Sequence, residues 1–390
     1  MNRKLNNLLS AILAFLALLL TVLIIGWTCF HVGTVKQTEN TQIVAADIMH
    51  RFDVFVSNAS AEALGGIVPA SAVEELAVEE EKVYMFDRTQ IVSPKPNQAY
   101  FKETTNPSDI DLVAAAAAEL LDGQEIFFDS SRELMPGTSV HYYMDETILA
   151  ICWKEILHNT VYTFTEVKVM DASQFRRYMA DDTFGSSIQY RASEMAATVN
   201  AVAASNGDFY KHRNFGVVVY KGEALRVDGK HAQTLYVDMD GNFHFTYQNE
   251  IMTLEEAQQY VDENNISFSL AFGPVLIENG ENVTPKTYPL GEVDVVYARS
   301  ALCQLDDLHY LVVHVNGEKP YNAHATVPQM GQTLYELGGI QMAYTLDGGQ
   351  TATCVFGGEV INRVVYGNER TMSDIIFFGT AIPNEEEAGS

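Results

Sequence analysis

The chain has 390 residues, with 24 Lys and Arg against 51 Asp and Glu, for a formal net charge of −27. Nothing in it forms a basic stripe able to neutralise phosphates, which excludes a nucleic-acid partner. The same acidity argues against peripheral docking on anionic lipid. Apolar residues make up 47% and there are 20 Phe and 19 Tyr, enough for a sizeable core.

Arg3 and Lys4 precede an uncharged apolar run from Leu8 to about Phe30. About 20 apolar residues cross a bilayer, so this run is long enough. The Gly-Trp-Thr-Cys-Phe-His that follows Ile25 offers no Ala-x-Ala cleavage site. An uncleaved anchor over residues 8–30 is expected, with a cytoplasmic stub at 1–7 and the chain from about residue 31 facing outward. The expectation is thus a single-pass membrane protein with an extracellular main domain.

Residues 31–140 carry weak signals and read as a stalk or small accessory region. Ser93-Pro-Lys-Pro-Asn97 and Asn106-Pro-Ser108 are breakers, and Leu112 to Leu121 is a helix former ending at Asp122-Gly123. From about Ser139 the texture changes. Thr147 to Trp153 and Thr160 to Val169 predict strands, and Asp171 caps a predicted helix running to about Met179. A helix over Ala192 to Val199 leads to a short buried strand, Ala201 to Ala204. Asn206-Gly207-Asp208 predicts a sharp turn with positive φ, presenting Asp208 at a strand end.

Further on, Asp240-Gly241 predicts a hairpin, Thr253 caps a helix to Val261, and strands are expected at Phe268–Phe272, Val293–Arg299 and Tyr310–Val315. Met330 to Leu337 reads as helix, and Met342 to Asp347 as a strand entering a double-glycine turn. The alternation predicts an α+β fold, a mixed β-sheet domain with flanking helices over 141–383, followed by an acidic tail at 384–390. The cysteines Cys29, Cys152, Cys303 and Cys354 have no CxxC or metal-ligand spacing and read as buried apolar thiols, with a Cys303–Cys354 bridge as the alternative.

Five stretches stand out together: Arg191-Ala-Ser-Glu-Met195, Ser205-Asn-Gly-Asp-Phe-Tyr210, Phe272 to Gly280, Leu346-Asp-Gly-Gly349 and Arg370-Thr-Met-Ser-Asp374. In this order they resemble the phosphodiester glycosidase family, from about residue 160 to about 380. The resemblance implies hydrolysis of a sugar-1-phosphodiester at its glycosidic bond. An oxocarbenium-like transition state needs carboxylates nearby, for which Asp208, Glu194 and Asp347 are the candidates. Arg191 and Arg299 are candidate phosphate clamps. Asn206 and Gly207 are candidates for holding the sugar side, and the amides of Gly348 and Gly349 for approaching an anion.

Each has a plainer alternative. Arg191 and Glu194 stand i, i+3 on a predicted helix and suit a surface pair, while Asp347 suits a turn cap. The sequence requires no cofactor; a divalent cation between Asp208 and Asp347 has no ligand spacing behind it.

Where family members carry Asn-Leu-Asp-Gly-Gly-Gly-Ser followed by small hydroxyl residues, this chain has Thr345 for the Asn, Gln350 for the third glycine and Ala352 at a hydroxyl position, and Glu318 where they carry Arg. The expected function is therefore a membrane-anchored extracellular glycosidase acting on sugar-1-phosphodiesters of envelope or extracellular glycans. The alternative is a non-catalytic glycan-binding or envelope-organising protein on the same scaffold.

Overall fold

The computed structural model describes residues 84–289, 293–321 and 324–383. The expected anchor over 8–30 and the acidic tail lie outside them. Among the described residues no helix is long and apolar enough to cross a membrane.

The fold is α+β. A nine-stranded sheet runs, edge to edge, through Phe101–Thr104, Val140–Met144, Ile148–Leu157, Thr160–Val169, His309–Asn316, Arg299–Asp306, Met342–Leu346, Val275–Glu278 and Glu281–Asn282. A five-stranded sheet follows the order Glu359–Val360, Cys354–Phe356, Ala203–Asn206, Asp374–Phe378 and Phe175–Met179. Smaller sheets join Phe243–Thr246, Thr234–Asp238 and Ile266–Leu270, and separately Gly216–Tyr220 and Glu223–Asp228. Every pairing among the described strands is antiparallel, so the expected mixed sheet is an antiparallel one.

The large sheet is covered on both faces, which explains its near-continuous apolar strands. In His309–Asn316, Leu311, Val313 and Val315 pack into one core with the helix Val327–Leu337. Tyr310 and Val312, one residue out of phase, pack into a second core shared with the five-stranded sheet. Thr253 caps the helix Leu254–Glu263 through a capping box with Glu256, as its sequence predicts. Asp240-Gly241 turns the hairpin between Thr234–Asp238 and Phe243–Thr246, with Gly241 at φ 89.

Three local expectations are corrected. Asp171 does cap a turn, but only the 3-10 helix Ala172–Gln174, after which Phe175–Met179 is a fully buried strand at the end of the five-stranded sheet. Residues 293–298 are irregular, and the strand begins at Arg299. The stretch 84–140, expected as part of a stalk or accessory region, supplies the edge strand Phe101–Thr104 of the large sheet and the first residue of its neighbour Val140–Met144. Its helices Asp109–Ala116 and Ala118–Leu121 bury Ile110, Leu120 and Leu121 in the first core. The Glu166 carboxylate ties it down further by accepting the Phe127 and Phe128 amides at 2.5 and 2.8 Å. Cys354 faces Cys152, with sulfurs 3.9 Å apart, and all three described thiols are free.

Candidate active site

Asp347 follows directly on the strand Met342–Leu346, and Asn206 ends the strand Ala203–Asn206 of the other sheet. The two meet where the sheets converge, because the Asn206 Nδ2 donates to the Asp347 carbonyl at 2.8 Å. The Asn206 Oδ1 accepts from Ser300 Oγ at 3.0 Å and from the Thr353 amide at 3.2 Å. Asn206 is thus a buried strut that fixes the Asp347 backbone, and its polar atoms are committed inside the protein rather than to a sugar hydroxyl.

The Asp347 carboxylate is half-buried. Thr351 Oγ1 donates to Oδ2 at 2.7 Å and the Gly348 amide to Oδ1 at 2.9 Å. Burial pushes its pKa up to about 6, against the pull of those two hydrogen bonds and of Arg213 and Arg370. A carboxyl poised close to neutrality beside two cations is the arrangement expected of a working acid–base group.

Those arginines surround Phe209. The guanidinium carbons of Arg213 and Arg370 lie 5.7 and 5.3 Å from the centre of its ring, and His212 stacks on it at 4.6 Å. Arg213 also reaches over Phe272 at 5.3 Å. Burial lowers the His212 pKa, and Arg370 and Lys211 lower it further. Arg370 is exposed and has no carboxylate at ion-pair distance among the described residues, although the chain carries more than two acids for every base. A cationic face beside a half-buried carboxylate can hold an anionic group against the point of attack.

Asp208 has a different place. Its Oδ1 pairs with Arg177 at 2.9 Å and accepts the Tyr210 amide at 2.8 Å, and its Oδ2 accepts the Ala271 amide at 2.7 Å. Arg177 also binds Asp374, at 2.8 Å, and donates to the Ser269 carbonyl. All three side chains are inaccessible to solvent. Burial pushes Asp374 up to about 7 against the pull of Arg177, with the like charge of Asp208 adding to it. Asp208 is therefore part of an internal ion triad beneath the site, not an acid or base open to substrate. With both its oxygens occupied, it is no partner for Asp347 around a cation. Among the described residues no group of three or more His, Cys, Asp or Glu could hold a metal ion.

Gly207 makes the triad sterically feasible. It does not reverse the chain: neither Asn206 nor Gly207 has positive φ, and the expected sharp turn is absent. A Cβ on Gly207 would stand 2.0 Å from Asp374 Oδ2, which Arg177 holds in place. Gly207→Ala is expected to lose about 1–3 kcal/mol of stability or more by overpacking, read by thermal denaturation.

Most of the remaining expected residues are also structural. Arg299 is buried, donating to the Ala325 carbonyl at 3.1 Å and to the Val295 carbonyl, so it is no phosphate clamp. Arg191 is the exposed N-cap of the helix Ala192–Thr198, and its amide donates to Glu194 at 2.9 Å. That capping box uses the Glu194 carboxylate and removes it from the acid–base set. The Gly348 amide serves Asp347, and the Gly349 amide donates to the Ala298 carbonyl at 2.8 Å, so neither is available to an anion. A Cβ on Gly348 would meet the Ala298 carbonyl oxygen at 2.6 Å, which accounts for glycine there.

Thus, of the expected set, Asn206 and Gly348 are gathered around Asp347, Asp208 and Gly207 lie beneath it, and Glu194 and Arg299 serve elsewhere. The site adds Thr351, Arg213 and Arg370, which the sequence reading did not single out. Arg370 did begin one of its five stretches.

This geometry lies in a region with known relatives. Residues 199–379 match the family model for phosphodiester glycosidases. The phosphodiester glycosidase match takes in Asn206, Arg213, Asp347, Arg370 and Asp374 and leaves Arg177, Arg191 and Glu194 before its start. No curated protein sequence matches the chain.

Among solved structures, the zebrafish N-acetylglucosamine-1-phosphodiester alpha-N-acetylglucosaminidase catalytic domain, auto-inhibited by its pro-peptide, is 18% identical. The alignment covers 60% of this chain and 82% of that chain at a TM-score of 0.47. A hypothetical protein from Synechocystis is 15% identical, covering 62% and 64% at 0.44. A putative exported protein from Burkholderia pseudomallei is 12% identical, covering 56% and 74% at 0.41.

Proposed function

We propose that this chain is a membrane-anchored, outward-facing glycosidase that hydrolyses sugar-1-phosphodiesters in envelope or extracellular glycans. The observation that carries this reading is Asp347: half-buried, raised to about 6 and flanked by Arg213 and Arg370. The phosphodiester glycosidase match over residues 199–379 supports it.

In this reaction water adds at the anomeric carbon while the bond from that carbon to the phosphodiester oxygen breaks. Asp347 takes the proton from the water. The bond's electron pair leaves with the phosphate, which departs as a phosphomonoester anion against Arg213 and Arg370. A phosphomonoester has its second pKa near 6 and leaves without a proton being delivered. One accessible carboxylate therefore suffices where two are usual, which fits the burial of Asp208.

Incubating the full-length chain with a methyl phosphodiester of a sugar-1-phosphate, and following free reducing sugar by mass spectrometry, tests the reading. Arg370→Ala is expected to raise KM about 10-fold with a smaller change in kcat, through loss of a charge-assisted contact. Because Asp347 works ionised, kcat/KM rises as pH passes through about 6 and levels off above it. Thr351→Val removes a hydrogen bond that holds this pKa down, so the rising limb moves to higher pH.

The second reading, glycan binding without turnover, draws on the occupied amides of Gly348 and Gly349. It requires saturable binding with no sugar released.

A further inference from the structure

Beside Asp347 lies a loop that the reaction above leaves unused. Residues 361–369 run from the end of the strand Glu359–Val360 up to Arg370, and Val365–Gly367 packs against Gly349–Thr351. Gln350 Nε2 reaches the Asn368 carbonyl at 3.4 Å. On its other side the loop is fastened to the helix Ala192–Thr198, because Glu369 accepts the Ser193 amide at 3.1 Å and the Ser193 hydroxyl at 2.6 Å. Between these attachments is a cavity of about 400 Å³ walled by Arg191, Asn362, Arg363, Val364, Asn368 and Glu369.

Most polar groups of this wall are committed. Asn362 Nδ2 donates to Asn316 Oδ1 at 3.0 Å and to the Ala352 carbonyl at 2.9 Å, and Glu369 holds Ser193. Arg191 and Arg363 are exposed and have no carboxylate at ion-pair distance among the described residues. In a chain of net charge −27, two such arginines on one cavity, with Arg370 at the end of the same loop, form a local reversal of sign. At the loop's tip Tyr366 is 85% exposed, with φ at 64. A bulky residue in the left-handed region is held there at a cost, and such positions cluster at ligand clamps.

We propose that this loop and Arg191 form a second sugar-phosphate subsite. It takes the next repeat of an anionic, phosphodiester-linked glycan, with its phosphate between Arg191 and Arg363 and a sugar ring against Tyr366. Arginine's planar fork suits phosphate oxygens, and an exposed aromatic ring suits the apolar face of a sugar. The inference rests on the hydrolase reading and narrows its substrate to polymers.

The test compares kcat/KM of the full-length chain on two substrates with the same sugar: the methyl phosphodiester, and an oligomer of at least three phosphodiester-linked repeats. The wild type is expected to favour the oligomer at least 10-fold. Arg363→Ala and Tyr366→Ala are expected to lose that advantage while turnover of the methyl diester stays within twofold. Equal kcat/KM on both substrates, or an oligomer preference that survives both substitutions, overturns the subsite. If neither substrate is turned over, the hydrolase reading falls and the subsite is read from calorimetric binding of the oligomer. Weaker binding by Arg363→Ala then supports it, and unchanged binding overturns it.

Discussion

Asp347→Asn is expected to lower kcat for sugar release by about 10²–10⁴-fold, the range for losing a positioned acid–base group, while the melting temperature changes little. The side chain is half-buried, and its two fixed partners are the Thr351 hydroxyl and the Gly348 amide. Asparagine keeps an oxygen acceptor for one of them and cannot take a proton from water. Losing the carboxylate charge also removes an anionic competitor beside Arg370, so phosphate binding is expected to tighten as turnover falls. A variant with wild-type kcat would remove Asp347 from the chemistry.

Arg177→Met is expected to destabilise the protein by about 3–5 kcal/mol, the usual cost of removing one partner from a buried ion pair. The melting temperature should fall by on the order of 10 °C. The guanidinium stands between two carboxylates with no solvent exposure, at 2.9 and 2.8 Å, so its loss leaves both buried without a countercharge.

The effect has a pH signature. In the folded protein Asp374 is raised to about 7 from an ordinary 3.8. Its contribution to stability is therefore fully present below about 3.8 and is lost as pH rises through about 7. Without Arg177 the carboxyl rises further, so the deficit of the variant is larger at pH 8 than at pH 5. Melting curves at both values check this. Asp208→Asn belongs with this effect rather than with catalysis: it lowers the melting temperature, and sugar release persists well below it.

What the sequence revealed was mostly local. The Thr253 cap, the Asp240-Gly241 hairpin and the apolar run at His309–Asn316 are encoded within a few residues, and each forms where expected. Asp347 was legible because a strand and a double glycine point at it. Asn206-Gly207 misled for a physical reason: the glycine there makes room for Asp374, distant in sequence, rather than permitting a turn. Asp208 looked catalytic because nothing nearby in the chain announces Arg177 as its partner. Arg213 and Arg370 meet over Phe209 only after folding. The segment 84–140 looked like a stalk because its strand Phe101–Thr104 lies at the edge of the sheet and is only partly buried, which weakens its apolar alternation.

The central claim is that the bond broken is the one at the anomeric carbon. Hydrolysis in ¹⁸O-labelled water, with both products analysed by mass spectrometry, tests it most directly. The account predicts one ¹⁸O at the anomeric hydroxyl of the released sugar and none in the phosphomonoester. Label in the phosphate would show attack at phosphorus and contradict the glycosidase mechanism built around Asp347.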